Sequence, residues 1–384
     1  MTPLGAFGSF HTLAFVQTFL RHAAPAPPGV AAVAIIGRLT GTVRPGRRSC
    51  PPMSPSPDTA PARAAPPPAA STSAVPPEDE ALLALVRAVR DTGYRFITPT
   101  PATHERVNRR PGNRWARGLA DVFGWSRPFK DGVLPGAMMD LLAAAGELER
   151  AGEGWRSRVR LSSLGGELFL HSAHPTVEAD SVFFGPDTYR FAGALEAWLD
   201  RGGPVRRAVD IGAGAGPGGI VVAKARPGAE VVLADINPAA LRLARVNARL
   251  AGTPGVDARR SDLLSGLEGA FDLIICNPPY LNDGAERAYR HGGGPLGAGL
   301  SLATVEAACE RLAPGGTLLL YTGVAIVDGE DPFREAAAAR LDGAGLRWTY
   351  RELDPDVFGE ELDTDAYARA DRIAAVVLTA IKQR

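Results

Sequence analysis

The sequence predicts an α/β fold with a mostly parallel sheet in its second half, preceded by a smaller α+β segment. From about residue 195, short apolar segments alternate with segments of helical spacing, which is typical of a parallel sheet covered by helices. Ahead of that part, two helical segments are followed by an alternating, basic segment that indicates a hairpin. The length of 384 residues suits about two domains.

Composition excludes several classes of protein. The chain has 42 basic and 42 acidic residues, which argues against a bulk nucleic-acid binder and against a membrane-surface protein. Cys50, Cys276 and Cys309 form no C-x-x-C pair, and the six histidines form no spaced cluster, so we expect neither disulfides nor a metal site. A reducing, cytoplasmic compartment fits this cysteine usage. No apolar stretch is long enough to span a bilayer.

Residues 1–78 are rich in Pro, Ala and Ser, and we expect them to be disordered. Residues 1–57 contain arginines and no acidic residue, which also suits an organelle transit peptide. An alternative is that Met53 is the true start of the protein.

Residues 79–175 are predicted to form a substrate-recognition domain. "EDEALLALVRAVRDTG" has acids in its first turn, helical apolar spacing and a closing Gly93, and "LPGAMMDLLAAAGELERAG" indicates a second helix. "WRSRVRLSSLGGELFLHSA" alternates and turns at Gly165–Gly166, which predicts a β-hairpin. This order is compatible with a small winged-helix-like domain.

Residues 176–384 are predicted to form the α/β domain. The expected strands are "RRAVDIG", "EVVLADI", "DARRSDL", "FDLIICNPPY", "TLLLYTGVAIV", "RWTYREL" and "RIAAVVLTAIK", the last pair including an antiparallel edge. The expected helices are "GPGGIVVAKARPG", "NPAALRLARVNARLAG", "SLATVEAACERLAPGG" and "FREAAAARLDGAG".

A glycine-rich turn, "VDIGAGAGPGGI", joins the first strand to its helix. Gly214, Gly216 and Gly219 fit the G-x-G-x-x-G pattern of dinucleotide-binding proteins, with Asp235 near the expected ribose-binding position. Asp210, just before the turn, argues for a different ligand, because its carboxylate would repel a pyrophosphate and attract an ammonium group. A ligand with both an ammonium and a ribose is S-adenosyl-L-methionine.

Acidic residues also end the next two strands. Asp235 suits a grip on both ribose hydroxyls, and Asp262 can accept a hydrogen bond from the adenine amino group. All three acids lie where open α/β sheets bind ligands. The predicted cofactor contacts are Asp210, Gly212, Gly214, Gly216, Asp235, Ile236, Asp262, Leu263, Asn277, Phe184 and Thr188, with Ser261 as a further candidate.

This series resembles the class I S-adenosylmethionine-dependent methyltransferases over about residues 180–384. The resemblance implies a seven-stranded Rossmann-like sheet. It narrows at "NPPY" (Asn277, Pro278, Pro279 and Tyr280), which looks like the signature of enzymes that methylate planar nitrogens. Such enzymes include the HemK/PrmC release-factor glutamine methyltransferases, adenine-amine methyltransferases and the rRNA "small-domain" methyltransferases.

The chemistry of such a nitrogen explains why these residues suit catalysis. Its lone pair is delocalised, and positive charge develops on the nitrogen as the methyl group arrives. Acceptors aimed at its two N–H bonds stabilise that charge selectively in the transition state. We expect the Asn277 side-chain oxygen and the Pro278 carbonyl to be these acceptors, Pro279 to hold Pro278 in extended geometry, and Tyr280 to stack on the planar group.

Two flanking segments resemble parts of the same families. In "DSVFFGPDTYRFAGAL", Phe183, Phe184 and Tyr189 are expected to line the methionine side and the target pocket, with Asp187 and Thr188 near the cofactor. The glycines of "YRHGGGPLGAGL" suggest a mobile substrate-side loop, in which Arg290 and His291 are structural.

The amino-terminal segment suggests a polyanionic substrate, because basic residues interleaved with Trp115 and Trp125 can bind phosphates and stack on bases. The basic residues are Arg106, Arg109, Arg110, Arg114, Arg117, Arg127 and Lys130, extended by Arg156, Arg158 and Arg160 in the hairpin. A solvated loop explains the same pattern.

Three functions therefore remain open: N-methylation of RNA, or less so DNA, at an amino group; N-methylation of glutamine in a release-factor-like protein; and a nicotinamide-dependent oxidoreductase built on the glycine-rich turn. A catalytically inactive RNA-binding module is disfavoured, because every motif residue is present.

Overall fold

The computed structural model describes residues 75–284, 287 and 289–384. The leader predicted for residues 1–78 lies almost wholly outside this part. The described residues belong to one compact unit. None of their helices is both long enough and apolar enough to cross a membrane.

The helices and strands follow the chain in this order. The helices are α1 (Pro77–Asp91), α2 (Pro101–Asn108), α3 (Gly136–Ala144), α4 (Pro186–Leu199), α5 (Pro217–Ala225), α6 (Pro238–Leu250), α7 (Gly299–Arg311) and α8 (Pro332–Gly343). The strands are β1 (Leu148–Ala151), β2 (Gly154–Ser157), β3 (Val159–Leu164), β4 (Glu167–Ser172), β5 (Arg207–Ile211), β6 (Glu230–Asp235), β7 (Asp257–Arg260), β8 (Phe271–Cys276), β9 (Leu312–Val327), β10 (Arg347–Asp354) and β11 (Ala370–Ile381).

The central sheet has seven strands in the order β10-β11-β9-β8-β5-β6-β7. Strands β5 to β9 pair in parallel, and β11 is antiparallel to both of its neighbours. The predicted α/β class, the parallel core and the antiparallel edge are confirmed. Strand order reverses at β5, since β6 and β7 lie on one side of it and β8 and β9 on the other, so a ligand crevice is expected at the carboxyl ends of β5 and β8.

Helix α5 packs closely on the sheet because of a glycine. A Cβ atom on Gly219 would lie 2.2 Å from Cδ2 of Leu233 in β6, and Leu233 is fully buried. This close approach lets the Gly219 N–H reach the carboxylate of Asp210 at 2.8 Å. Gly219 of the G-x-G-x-x-G pattern therefore serves helix–strand packing.

The amino-terminal part packs on the outer face of α6. Leu82 of α1 and Leu243 of α6 belong to the same apolar cluster. Arg242 donates to Asp79 at 2.6 Å and to Glu147 at 2.8 Å, which ties α6 to the amino-terminal part at two points. These contacts fix the amino-terminal part beside the carboxyl edge of the sheet; the domain limits at residues 79, 175 and 176 stay a prediction.

Two details of the amino-terminal prediction were wrong. The second predicted helix stops at Ala144, where Gly146 adopts a φ of 75°, and Leu148–Ala151 is a strand instead. Strand β1 pairs with β2, so Trp155 belongs to a separate first hairpin. The predicted hairpin itself is β3–β4, and its turn at Gly165–Gly166 is confirmed.

Candidate active site

A single cleft at the carboxyl ends of the central strands brings most of the predicted site residues together. Those that line it are Asp210, Gly212, Gly214, Asp235, Ile236, Asp262, Leu263, Asn277, Pro278, Pro279, Tyr280 and Thr188. Gly216 and Phe184 do not line it. The sequence pattern thus located the cleft but assigned two residues to it that have other neighbours.

The glycine-rich turn supplies the floor of the cleft. Gly212 and Gly214 have φ values of 64° and 55°, in the left-handed region that favours glycine. Gly216 also has a positive φ, but a Cβ atom on it would lie 3.0 Å from Leu233 and 3.4 Å from Ala244, both in the core. Gly216 is the N-cap of α5 and packs against β6, and its contact with the cofactor stays a prediction.

Asp210 is a buried acid, one residue before the end of β5. One of its carboxylate oxygens accepts a hydrogen bond from the Gly219 N–H, and no cationic side chain pairs with it in the part of the chain that the structure describes. Burial raises the pKa of Asp210 to about 7, the hydrogen bond opposes this increase, and the neighbouring Asp235 adds to it. A cationic group at the cleft would compensate this carboxylate.

Asp235 is oriented by backbone donors on both sides. Its two carboxylate oxygens accept from the N–H of Gly214 and the N–H of Asn237, both at 2.8 Å. Each oxygen has a second lone pair, so the carboxylate can accept two more hydrogen bonds from a ligand in the cleft. Burial raises the pKa of Asp235, and these two hydrogen bonds oppose that increase.

The far end of the cleft combines an acid with an unusual apolar surface. Asp262 is exposed, and Leu263 beside it has a φ of 48°. Ser261 holds this turn, because its hydroxyl donates to the Leu263 carbonyl at 2.9 Å and accepts from the Gly266 N–H at 3.0 Å. Ile236 is 52% exposed, so an apolar, planar ligand group can cover it here.

Asn277 follows the last residue of β8 and faces the same cleft. Its side chain forms no hydrogen bond with the residues that the structure describes, and neither does the Pro278 carbonyl. Pro279 supplies no N–H of its own. Two acceptor oxygens are thus available beside the acid-lined part of the cleft.

Tyr280 is a closely packed residue in the wall of the cleft, and its role in stacking on the substrate stays a prediction. A Cβ atom on Gly323 would lie 2.3 Å from the Tyr280 ring, and the Phe358 ring packs on it edge to face at 5.8 Å. Only 7% of Tyr280 is exposed. These close contacts fix the ring at the base of the NPPY turn, in the wall of the cleft.

A buried acid lies near Tyr280. Asp187 accepts a hydrogen bond from the Tyr321 hydroxyl and forms an ion pair with Arg190 at 3.3 Å. Burial raises the pKa of Asp187, and these two partners oppose that increase. Asp187 and Thr188 both line the cleft. The sequence of their segment predicted that they lie near the cofactor.

The aromatic residues of the same segment do not lie together: one lines the cleft and two pack in the core. Phe183 lines the cleft, whereas Phe184 stacks on His171 at 5.1 Å and packs on Tyr189 edge to face at 5.5 Å. Phe184 and Tyr189 therefore belong to the core under the cleft, and only Phe183 matches the prediction. Consecutive residues in extended backbone point to opposite sides, so the sequence could not decide which of the two faces the ligand.

The glycine-rich segment after the NPPY turn packs against that turn, and its mobility stays a prediction. A Cβ atom on Gly292 would lie 2.7 Å from the Pro279 carbonyl, and one on Gly297 would lie 2.2 Å from the Tyr280 carbonyl. The Gly292 N–H donates to the Leu281 carbonyl at 2.8 Å. In its described residues, this segment buttresses the NPPY turn, and its glycines permit that close approach.

The structure adds cleft residues that the sequence did not indicate. Pro101, Thr176 and Tyr289 come from three separate segments, and the Tyr289 hydroxyl donates to the Thr176 carbonyl at 2.6 Å. The rings of Tyr289 and Phe183 are nearly parallel, with centroids 6.2 Å apart. No local spacing could have found them, because they meet only through tertiary packing.

The predicted basic surface is smaller than its composition suggests. Four of its cations form ion pairs within the amino-terminal part: Arg109 with Glu105, Arg117 and Arg127 with Asp121, and Lys130 with Glu153. Arg127 and Arg160 are buried, and Trp125 packs on Phe96. Arg106, Arg110 and Arg114 remain exposed, with no ion pair among the residues described.

Comparison with known proteins finds relatives that are methyltransferases. A family model described as "Methyltransferase small domain" matches residues 194–324. A release factor glutamine methyltransferase of Deinococcus radiodurans is 35% identical over 218 residues, which are 53% of this chain and 73% of that protein.

Two other relatives are similar over shorter parts. A 4-amino-L-phenylalanine/4-methylamino-L-phenylalanine methyltransferase of Streptomyces pristinaespiralis is 33% identical over 42% of this chain and 56% of its own length. A ribosomal RNA small subunit methyltransferase C of Haemophilus influenzae is 40% identical over 22% of this chain and 25% of its own length. The chain thus spans less than two thirds of these two relatives.

The fold, the acid-lined cleft and the similarity over most of the glutamine methyltransferase agree, and they leave no support for a nicotinamide-dependent oxidoreductase. The chain belongs to the class I S-adenosylmethionine-dependent methyltransferases, in the group that contains the methyltransferase small domain and the release factor glutamine methyltransferases.

Proposed function

We propose that this enzyme methylates a planar amino nitrogen, and that the nitrogen is the exocyclic amine of an RNA base. The observation that carries the N-methylation is the pair of unengaged acceptor oxygens, on Asn277 and Pro278, beside the acid-lined half of the cleft. An acceptor pair suits an NH2 group, which presents two N–H donors.

The residues of the cleft fit S-adenosylmethionine, which supplies an electrophilic methyl group on a sulfonium ion. Asp210 offers a carboxylate without a cationic partner to the ammonium group, and Asp235 offers two lone pairs to the ribose hydroxyls. The exposed face of Ile236 would lie against the adenine ring, with Asp262 accepting from its amino group.

Asn277 and Pro278 would then act on the methyl acceptor. By accepting from both N–H bonds, the two oxygens hold the NH2 group and orient its lone pair toward the cofactor half of the cleft. Positive charge grows on the nitrogen during transfer, and the same two oxygens stabilise it more strongly than they stabilise the neutral group. The extra proton then leaves to water, so no strong base is required.

The position of α2 supports an RNA substrate. The helix begins at Pro101 in the cleft wall and is about 12 Å long at 1.5 Å per residue, since it contains 8 residues. Exposed Arg106 lies within it, and exposed Arg110 and Arg114 follow its end. Unpaired cations at this distance from the cleft suit the phosphates that flank an unstacked base.

Glutamine in a release-factor-like protein is the second candidate. It is favoured by the relative from Deinococcus radiodurans, whose similarity covers 73% of that enzyme. A glutamine side-chain amide presents the same planar NH2 group, so the acceptor pair does not separate the two substrates.

Labelling separates them directly. The purified enzyme and methyl-labelled S-adenosylmethionine are added to an extract of cells that lack the gene, so that substrate sites are unmethylated. Half of the product is digested with RNase and half with protease, and Asn277→Ala serves as the inactive control. We expect RNase to release the label in soluble form. Release of the label by protease alone would show that the substrate is a protein and not RNA.

A further inference from the structure

A second, smaller polar cavity lies next to the cleft, between α2 and the β3–β4 hairpin. It shares Pro101, Thr176 and Phe183 with the cleft, so the two are separated only by a common wall. Its other side contains Arg160 and the three histidines His104, His171 and His174. Nothing in the proposed methyl transfer uses these four side chains.

Arg160 is a buried cation without a carboxylate partner. It is 5% exposed, and it donates to the Gly124 carbonyl at 2.9 Å, to the Thr98 hydroxyl at 3.4 Å and to Nδ1 of His104 at 3.5 Å. All three acceptors are neutral, and in the described part of the chain Arg160 forms no ion pair. Burial lowers the pKa of Arg160 to about 10.

The hydrogen bonds of two histidines indicate that both rings are neutral. Nε2 of His104 lies 2.8 Å from the Trp125 carbonyl and must donate to it, which leaves Nδ1 as the acceptor for Arg160. Nδ1 of His171 donates to the Ser172 carbonyl at 3.1 Å, and because burial holds the pKa of this ring well below its usual value, its Nε2 accepts from Ser162 at 2.7 Å. These two rings therefore add no charge that could offset or increase that of Arg160.

The third histidine faces the same cation. The rings of His174 and His104 lie 4.1 Å apart, and burial, followed by the charge of Arg160, lowers the pKa of His174 to about 4 and that of His104 to about 3. Glu105 is the acidic residue that acts on His174, but it is exposed and pairs with Arg109. Arg127, Arg156, Tyr94 and Tyr189 also act on this group, and none of them supplies a negative charge at neutral pH.

An unpaired charge in a buried site is strongly destabilising, so such a charge usually has a partner. The cavity has a volume of about 20 Å³, enough for one water-sized group, and its wall toward the cleft is formed by side chains of Pro101, Thr176 and Phe183. We propose that this cavity is a binding site for an oxyanion, in which one phosphate or carboxylate oxygen of a molecule in the cleft enters and pairs with Arg160.

The site goes beyond the proposed function, since it would anchor any methyl acceptor that carries an anion near its NH2 group. Arg160 supplies the charge. A bound anion would also raise the pKa of His174 from its value of about 4, because the ring lies close to the same cavity. A phosphate of a nucleotide and a carboxylate of an amino acid are the two sources of this chemistry.

The test uses the free enzyme, without S-adenosylmethionine, so failure of the methyl-transfer proposal does not affect it. Inorganic phosphate and sodium acetate are titrated at constant ionic strength while the histidine ring protons are followed by NMR. We expect the signals of His174 and His104 to shift and saturate with at least one anion, and the pKa of His174 to rise. The anion that binds more tightly identifies the source; no saturable shift with either anion would overturn the proposal.

Variants locate the effect. Arg160→Gln should abolish the saturable shift, while Arg158→Gln, an exposed arginine of the same hairpin, should retain it. If Arg160→Gln does not fold, His174→Gln removes a half-buried ring, and the remaining His104 signal should still saturate with the anion. Unchanged saturation in a folded Arg160→Gln variant would contradict the assignment.

Discussion

The acid-lined cleft and the smaller cavity around Arg160 share a wall at Phe183. Both regions are buried, but they carry opposite charge. In the cleft, burial raises the pKa values of Asp210, Asp235 and Asp187, because each carboxylate loses solvation. In the cavity, burial lowers the pKa values of Arg160 and of the three histidines for the same reason. One region is therefore suited to a cationic ligand group and the other to an anionic one.

The difference teaches how a single site can hold two molecules in a fixed relation. In the proposed function, the acidic region would select the cofactor through its ammonium group, and the cationic region would select the methyl acceptor through an oxyanion. Asn277 lies in the acidic cleft, where both ligands would meet. Each prediction below changes one region and asks whether the other responds.

The largest expected effect comes from Asn277→Ala. Removing one of two acceptors aimed at the transition state should decrease kcat by about 10²- to 10³-fold, by analogy with the loss of one donor from an oxyanion hole. Affinity for S-adenosylhomocysteine, measured by calorimetry, should stay near that of the wild type. Asn282→Ala, which lies outside the cleft, is the matched control; a large loss of cofactor affinity in Asn277→Ala would show that Asn277 serves the acidic region instead.

Asp235→Asn should act on the acidic region alone. The substitution keeps the size of the side chain but removes the charge that strengthens its hydrogen bonds, so affinity for S-adenosylhomocysteine should fall about 10- to 100-fold. Asp257→Asn, on the neighbouring strand and paired with Arg259, should change it little. The response of His174 to phosphate should be unaffected, and its loss would show that the two regions are coupled through their wall.

The pH dependence of ligand affinity should distinguish the acidic cleft from the cationic cavity. Since the pKa of Asp210 is raised to about 7, the carboxyl is ionised above that pH and protonated below it. Affinity for S-adenosylhomocysteine should therefore fall as the pH decreases from about 8 to about 6, by about tenfold at most, and Asp210→Asn should remove the dependence.

Acetate binding to the cavity should not change over that range. His104 and His174 have pKa values of about 3 and about 4, so both stay neutral in the free enzyme between about pH 6 and pH 8. Calorimetry with acetate at both pH values checks this, and a strong dependence would mean that another group titrates in the cavity.

The smallest effect is expected at the exposed arginines beyond α2. Arg110→Ala should weaken RNA binding a few-fold and reduce the slope of log K against log salt by about 0.7 to 0.9, the share of one phosphate contact. Arg206→Ala, exposed at the amino-terminal end of β5 and away from the cleft, is the control. An unchanged slope in Arg110→Ala would remove this arginine from the RNA surface.

The acidic region could be predicted from the sequence because its parts are local. Asp210, Asp235 and Asp262 each lie at or just beyond the carboxyl end of a strand, and parallel strands place their carboxyl ends at one edge, so order along the chain implies proximity. The backbone donors that orient Asp235 come from Gly214 and Asn237, both beside a strand end. The NPPY turn could be recognised for the same reason, because its residues are consecutive and directly follow the end of β8.

The cationic region could not be predicted in this way. Arg160 was expected on a basic surface, because alternation in β3 does not reveal that both faces of that hairpin are covered. His104 and His174 meet it only after α2 and the segment following β4 fold together. Phe184 was assigned to the cleft for a related reason, since only packing determines which face of a short segment is buried.

The most direct test of the central claim is the position of the methyl group in the product. The labelled RNA and protein fractions are digested to nucleosides and peptides, and tandem mass spectrometry locates the added mass. The account predicts a methyl group on a planar amino or amide nitrogen, and none in the Asn277→Ala reaction. A methyl group on a ring carbon, a ribose oxygen or a carboxylate would contradict it.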